Sequence, residues 1–353
     1  MASPRHATVF GAYGHTGQFI VAELRKCGWT PILSGRDAGK LAILGVANPG
    51  LEVRPASVDD PLSLDAAVAG AAAVINCAGP FADTASRVID AALRARIAYV
   101  DVTAEVEVVA AAFEQYAGRA ADAGIVIAPA MGFYGALGDL LVTAATGDWS
   151  RCEVDEICVA YALDSWRPTP GTRATIRTST ERRGGRRLVL SNDRIELRTD
   201  RAPIVEWTFP APFGTQAVMS DYTTAASLAI SRHLRTREIR SYMTVAPLKD
   251  LSDPDVPPPV GIDESGRSSQ VFLIEAVVRR EGMERRAVAR GRDIYAITAP
   301  IAVEAMQRIV GGLARTPGVV TAGAAFDARD FLESLCPTHL SLELSEVASA
   351  QRT

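Results

Sequence analysis

The run Thr8–Gln18, reading TVFGAYGHTGQ, constrains this chain more than any other stretch. It spaces Gly11, Gly14 and Gly17 three apart, where the apolar segment Ala7–Phe10 gives way to helical spacing over Phe19–Cys27. Gly11 allows a tight turn, Gly14 lets the backbone approach a pyrophosphate with no Cβ in the way, and Gly17 permits close packing of helix on strand. The helix N-terminus then offers N–H groups and a positive dipole end to phosphates. Gly11, Tyr13, Gly14, His15, Thr16 and Gly17 therefore read as a dinucleotide cradle. The plainer alternative is a tight βα turn that holds nothing, with His15 facing solvent.

The chain beyond this turn favours the dinucleotide. Apolar runs recur at Pro31–Leu33, Glu52–Arg54, Ala72–Asn76, Tyr99–Val102 and Ile125–Ala128, with helical spacing over Ser63–Ala69, Ser86–Ala95 and Val106–Ala123 between them. Strands apolar on both faces, alternating with helices, imply a parallel doubly wound sheet. At the end of the second strand an NAD enzyme places Asp or Glu on the ribose 2′-hydroxyl. Here the chain reads Ser34-Gly35-Arg36-Asp37, with Lys40 one turn on. Arg36 and Lys40 can receive a 2′-phosphate and Ser34 can donate to it, which points to NADP(H). Alternatively Arg36 is an exposed arginine before a helix that Asp37 caps.

Past Trp149 the pattern changes. Ile157, Val159, Tyr161 and Leu163 alternate as in a strand with one buried face, implying an antiparallel sheet. Ala174–Thr180, a turn at Gly184-Gly185 and Leu188–Leu190 read as one hairpin, and Gln270–Arg279 with Glu284–Ala289 as another. Ala302–Leu313 returns to helical spacing. An apolar sheet face left uncovered would pair two chains unless helices cover it instead, and a homodimer is the expectation.

Composition excludes several classes. With 353 residues, 48% hydrophobic and 22% charged, the chain suits two globular lobes. A formal charge of −4 gives no reason to bind nucleic acid, leaving a small-molecule substrate as the expected partner. No run approaches the ~20 apolar residues of a membrane span, and Met1–Ala7 lacks a secretory pattern. Five scattered cysteines without a CxxC pair fit a reducing, cytoplasmic setting. Only Lys26, Lys40 and Lys249 are lysines among 37 basic residues, a skew that predicts a GC-rich bacterial source. His6, His15, His233 and His339 do not approach metal-ligand spacing, so no metal is expected.

Five segments resemble the saccharopine dehydrogenase-like NADP-binding oxidoreductases, a family that includes trans-acting enoyl reductases: GAYGHTG (Gly11–Gly17), SGRD (Ser34–Asp37), VINCAGPF (Val74–Phe81), AYVDVTAE (Ala98–Glu105) and PAMGFYGALGDLL (Pro129–Leu141). Weaker likeness lies in Gly291–Thr298 and Gly318–Leu335. The resemblance implies that the loop Cys77, Ala78, Gly79, Pro80 and Phe81 lies beside the ribose and nicotinamide, and that Asp101, Val102 and Thr103 approach from the next strand end. It also implies a Rossmann domain with an inserted α+β domain containing a mainly antiparallel sheet. The division so implied is 1–135 for the dinucleotide-binding domain, 136–294 for the inserted substrate and dimerisation domain, and 295–353 for C-terminal helices returning to the Rossmann domain, with dimerisation often through the inserted sheet. Where many relatives have Gly-Phe-Asp, this chain has Gly132-Phe133-Tyr134.

Hydride transfer needs the nicotinamide held against the acceptor and, for C=N or C=O, a proton donor within reach. Tyr134 is the first candidate donor, with packing between lobes as its alternative. Asp101 and Glu105 are candidate acids that could equally cap a helix or close a turn. Asp139 fits a packing helix. The basic run Arg182–Arg187 could dock a carrier protein or an anionic substrate, or be a solvated hairpin tip. Three functions fit these residues: reduction or oxidation of an imine or amino-acid derivative, reduction of an enoyl thioester, or a silent NADP-binding scaffold.

Overall fold

The computed structural model describes residues 5–191 and 194–349. The start of the N-terminal stretch and the last four residues of the C-terminal segment lie outside the described residues. The chain forms two compact units: residues up to Phe133 with Thr298–Phe326, and Tyr134–Ile297 with the chain from Asp327 onward.

The first unit is a seven-stranded parallel sheet. Its strands are β1 (His6–Phe10), β2 (Thr30–Gly35), β3 (Val53–Pro55), β4 (Ala73–Asn76), β5 (Ala98–Asp101), β6 (Val126–Ala128) and β15 (Gly318–Val319), in the order β15-β6-β5-β4-β1-β2-β3. Between them run α1 (His15–Lys26), α2 (Ala38–Ala47), α3 (Pro61–Val68), α4 (Phe81–Ala95) and α5 (Val106–Ala123), joined by α10 (Thr298–Val310) and the short α11 (Ala322–Ala325). The strand order reverses between β1 and β4, the switch point where open α/β sheets bind ligands. β1, β2, β4 and β5 are buried on both faces, which is why they read as continuous apolar runs. Phe10, Val74, Val88, Ile89, Tyr99 and Ile127 lie in the core that packs α3, α4 and α5 on the sheet.

The second unit holds another seven-stranded sheet. It comprises β7 (Glu156–Leu163), β10 (Ile204–Phe209), β11 (Gly214–Met219), β12 (Ile239–Thr244), β13 (Val271–Arg280), β14 (Met283–Arg292) and β16 (Leu340–Ser349), in the order β10-β11-β12-β7-β13-β14-β16. All its pairings are antiparallel except β12 on β7. The helices α6 (Gly138–Thr146), α7 (Pro170–Arg182), α8 (Ala225–Ser231), α9 (Val245–Ser252) and α12 (Ala328–Ser334) and the small hairpin β8 (Arg187–Ser191) and β9 (Arg194–Arg198) complete it. α6 lies against β13, β14 and α8.

Three readings of the sequence change here. Ala174–Thr180 is helical, within α7, because Thr169 caps the helix through the Thr172 N–H at 3.1 Å and Pro170 opens its first turn, so local capping overrides the β-branched run. The arginines after it are accordingly a helix end and a turn, with Gly184 and Gly185 at positive φ, and the hairpin begins only at Arg187. The C-terminal segment does not return whole to the first unit: α12 and β16 belong to the second, where β16 pairs with β14.

β7 is buried on both faces. Ile157, Val159 and Tyr161 face the side of α6, where the Tyr161 hydroxyl sits 2.6 Å from the place a Gly138 Cβ would take. Cys158, Ala160 and Ala162 face the other side, together with Leu273, Val277, Val288, Tyr242, Phe209 and Trp207. That side is covered by the chain itself. β11 pairs with β12 only at Val218 and Met219, and the β10–β11 hairpin then folds across the sheet. Trp207 reaches Glu275 on β13 with a 2.8 Å hydrogen bond from Nε1, and Arg290 on β14 donates to the Ala211 carbonyl at 2.9 Å. The alternating apolar side chains of β7 are thus met by α6, and the opposite side of the strand is covered by the β10–β11 hairpin.

Candidate functional site: a dinucleotide cradle

The turn after β1 admits glycine for steric reasons. Gly11 lies at φ +86°, and a Cβ there would stand 2.9 Å from the Ala78 nitrogen, so the loop after β1 touches the loop after β4. A Cβ on Gly17 would meet the Gly11 carbonyl at 2.3 Å, which is the close helix packing the glycine spacing implies. The Gly14 N–H donates to the Gly11 carbonyl at 2.9 Å, and the N–H groups of Gly11 and Ala12 donate to the Ser34 carbonyl at 2.8 and 3.1 Å. The loop is therefore fixed to the end of β2 as α1 begins. Tyr13, His15 and Thr16 are half-buried along it, and the His15 ring meets Phe19 edge-on at 5.2 Å.

At the end of β2 the chain turns outward. A Cβ on Gly35 would stand 2.8 Å from the Tyr13 ring, so glycine is what lets Tyr13 lie there. The Lys40 ammonium lies 5.7 Å from the centre of that ring and 3.7 Å from Asp37. Arg36 and Lys40 are exposed. Asp37 caps α2 by accepting the Lys40 N–H at 3.0 Å, and that bond chiefly holds its carboxyl below the usual range. The two readings of Arg36 are compatible, since Asp37 caps the helix while Arg36 and Lys40 stay open to an anion. Ser34 is different: its side chain is fully buried, so its hydroxyl does not share the surface with those two cations.

The ends of β4, β5 and β6 carry a buried polar network. Asp101 Oδ1 accepts the Thr103 N–H at 3.0 Å and the Ala130 N–H at 2.8 Å, while Oδ2 accepts the Tyr99 hydroxyl at 2.8 Å. Burial raises Asp101 to about 6 despite those three donors. Glu105 Oε1 and Oε2 accept the Phe81 and Ala82 N–H groups at 2.7 and 3.0 Å, and burial raises it too. Thr103 Oγ1 accepts the Glu105 N–H at 3.0 Å. Asn76 donates to the Tyr99 hydroxyl and to Thr84, each at 3.3 Å, and accepts the Ala78 N–H at 3.0 Å. Two candidate acids thus spend their lone pairs holding loops. Cys77 and Ala78 are half-buried, and Gly79 is exposed, in the loop so held, while Phe81 is buried. The sequence shows no pattern that foretells the shared role of Asn76, Thr84 and Tyr99, because they come from three separate elements, β4, α4 and β5.

Tyr134 lies in the second unit, in the π-helical turn Phe133–Leu137. Its ring stacks on Trp166 at 5.4 Å, tilts against Tyr161 at 5.4 Å and meets Tyr222 edge-on at 6.4 Å. Burial, and then the neighbouring Tyr222, Tyr295 and Tyr161, push its phenol well above the ordinary range, so it is protonated at any working pH. The Tyr295 hydroxyl accepts Trp166 Nε1–H at 3.2 Å and bonds Thr172 at 3.0 Å. Asp139 in α6 bonds His233 at 2.7 Å, within the same unit. Among the described residues no three His, Cys, Asp or Glu side chains are placed to hold a metal, and no helix is long and apolar enough to cross a membrane.

The cradle fits a dinucleotide with a 2′-phosphate: backbone where side chains would intrude, and two exposed cations where a ribose hydroxyl would otherwise meet a carboxylate. The family model of the saccharopine dehydrogenase NADP binding domain matches residues 7–128, the span of β1 to β6. A saccharopine dehydrogenase-like oxidoreductase of Homo sapiens is 30% identical over 148 residues, covering 37% of this chain and 34% of that protein. Its Bos taurus counterpart is 28% identical over the same length and coverage. The match thus spans about a third of the length of these relatives. An apo saccharopine dehydrogenase (L-Glu forming) from Saccharomyces cerevisiae shares the fold, with a TM-score of 0.66 at 11% identity over 97% of this chain and 100% of that one.

Proposed function

Because residues 7–128 match the saccharopine dehydrogenase NADP binding domain, we propose that the chain is an NADP(H)-dependent oxidoreductase acting on a small polar substrate, an imine or amino-acid derivative. The observation that carries the cofactor half of this reading is Arg36, exposed just past Gly35 beside Lys40, with the neighbouring carboxylate, Asp37, engaged as a helix cap. When bound, NADPH supplies the hydride. The chain's part is to fix the pyrophosphate on the Gly11–Gly17 backbone and to hold the loop after β4 from behind. Tyr134, kept protonated, is the candidate donor of a proton to the reduced acceptor.

One observation favours a second reading. The rings against Tyr134 are those of Trp166, Tyr161 and Tyr222, with Tyr295 near, an aromatic surrounding suited to an uncharged conjugated group such as an enoyl thioester. NADPH oxidation measured against cyclic imines, 2-oxoacids with amines, and enoyl-pantetheine thioesters tests both. Turnover with imines alone supports the first, and turnover with thioesters alone replaces it by the second. No oxidation with any acceptor, in a protein that binds NADPH, favours a silent scaffold.

A further inference from the structure

We propose that Glu105 is a positioning residue for NADP(H), holding the loop between β4 and α4 through a closed ring of hydrogen bonds; the inference rests on the NADP reading of the first unit. α4 begins after Pro80, whose side chain cannot cap it, and the N–H groups of a first helical turn need acceptors. Glu105 supplies them from another loop, at 2.7 and 3.0 Å, with its charge at the positive end of the helix. From Glu105 the bonds run through Thr103 to Asp101, on to Tyr99 and Asn76, and back to the Ala78 N–H of the same loop. All five side chains are at most 4% exposed. The Thr84 hydroxyl tightens the return by donating to the Ala78 carbonyl at 2.6 Å.

The loop so clamped, Cys77-Ala78-Gly79-Pro80, has little side chain of its own with which to hold a shape, and the ring grips it at both ends. It lies at the carboxyl end of the first strand in the second half of the Rossmann sheet, the half that takes the second mononucleotide. The glycine loop and Arg36 belong to the first half, which takes the adenosine and its 2′-phosphate. Loosening the ring therefore disturbs the nicotinamide half and spares the adenosine half. A residue whose role is only to keep the domain folded has no reason to distinguish them.

The test compares NADPH with 2′,5′-ADP, which carries the adenosine half alone, in the full chain. Glu105→Gln keeps the size but turns an N–H donor towards an N–H donor. Tyr99→Phe breaks the ring at a fully buried link and carries the same comparison if Glu105→Gln does not fold, with Tm recorded for each. Glu105→Gln is expected to weaken NADPH about 10-fold or more and Tyr99→Phe by less, with 2′,5′-ADP affinity unchanged in both. Equal losses for the two ligands, or unchanged NADPH affinity in both variants, overturn the inference. Wild-type protein that fails to bind 2′,5′-ADP overturns the cofactor reading instead.

Discussion

Arg36 and Asp101 differ in what sequence alone could say of them. Arg36 follows the second strand, a position whose chemistry is set by one ligand group, so its role is legible from order along the chain. A charge-assisted bond to the 2′-phosphate is worth roughly 1.5–3 kcal/mol, so Arg36→Ala should weaken NADPH about 10–150-fold and leave NADH unchanged, as titration of both would show. Asp101 reads as a candidate acid only because its partners, Tyr99 apart, are backbone groups from separate loops. Its pKa is raised from 3.8 to about 6, mainly by burial, with Tyr99, Cys77 and Glu105 as its titratable neighbours. The folded state therefore holds this proton more tightly than the unfolded chain does. The resulting stabilisation is complete below about 3.8 and disappears as pH rises through about 6, a swing of about 3 kcal/mol. Asp101→Asn should remove that limb from unfolding free energies measured across the window, and an unchanged curve would contradict the assignment. For Tyr134, Tyr134→Phe should lower kcat by about 10²-fold or more with NADPH affinity unchanged, measured with whichever acceptor oxidises NADPH.

Elements were legible where period and punctuation agree. The βα alternation of the first unit, its buried strands and the glycine turn all point the same way, and they suffice to specify the parallel sheet. α7 is where they disagree: a run of Ala, Thr and Ile has strand character, yet Thr169-Pro170 is a helix start. None of the helix's residues is buried, so its cap has unusual weight. Thr169→Ala should cost about 1 kcal/mol of helix stability, visible as faster amide exchange across 170–182 with little change in global Tm. If exchange stays slow there, tertiary contacts rather than the cap hold α7. β16 was illegible for a different reason. LSLELSEVAS alternates as a strand does, but its partner β14 lies about 50 residues away in sequence, and no local signal assigns the pair.

At the scale of the whole molecule, the question is what closes the second sheet. The alternation of Ile157, Val159, Tyr161 and Leu163 predicts that this apolar side needs a cover, a second chain or helices, and says nothing of which. In the structure α6 lies on that side, and the opposite set, Cys158, Ala160 and Ala162, is small enough for the β10–β11 hairpin to settle on the sheet. Trp207 helps to hold the hairpin, packing on Tyr242 at 4.7 Å and donating to the fully buried Glu275. Glu275 keeps Arg286, at 2.7 Å, as its other partner. Trp207→Ala removes the ring from the cluster and leaves a buried carboxylate oxygen without its donor, two costs that add. Truncation of a large buried aromatic costs about 3–5 kcal/mol, somewhat less here because Trp207 is only partly buried. Beyond that loss, the variant should uncover an apolar face that the wild type hides and so associate with rising concentration. Sedimentation of both proteins across the micromolar range reads this directly. A variant that is destabilised yet shows the wild-type distribution at every concentration would mean that the hairpin stays seated without its tryptophan.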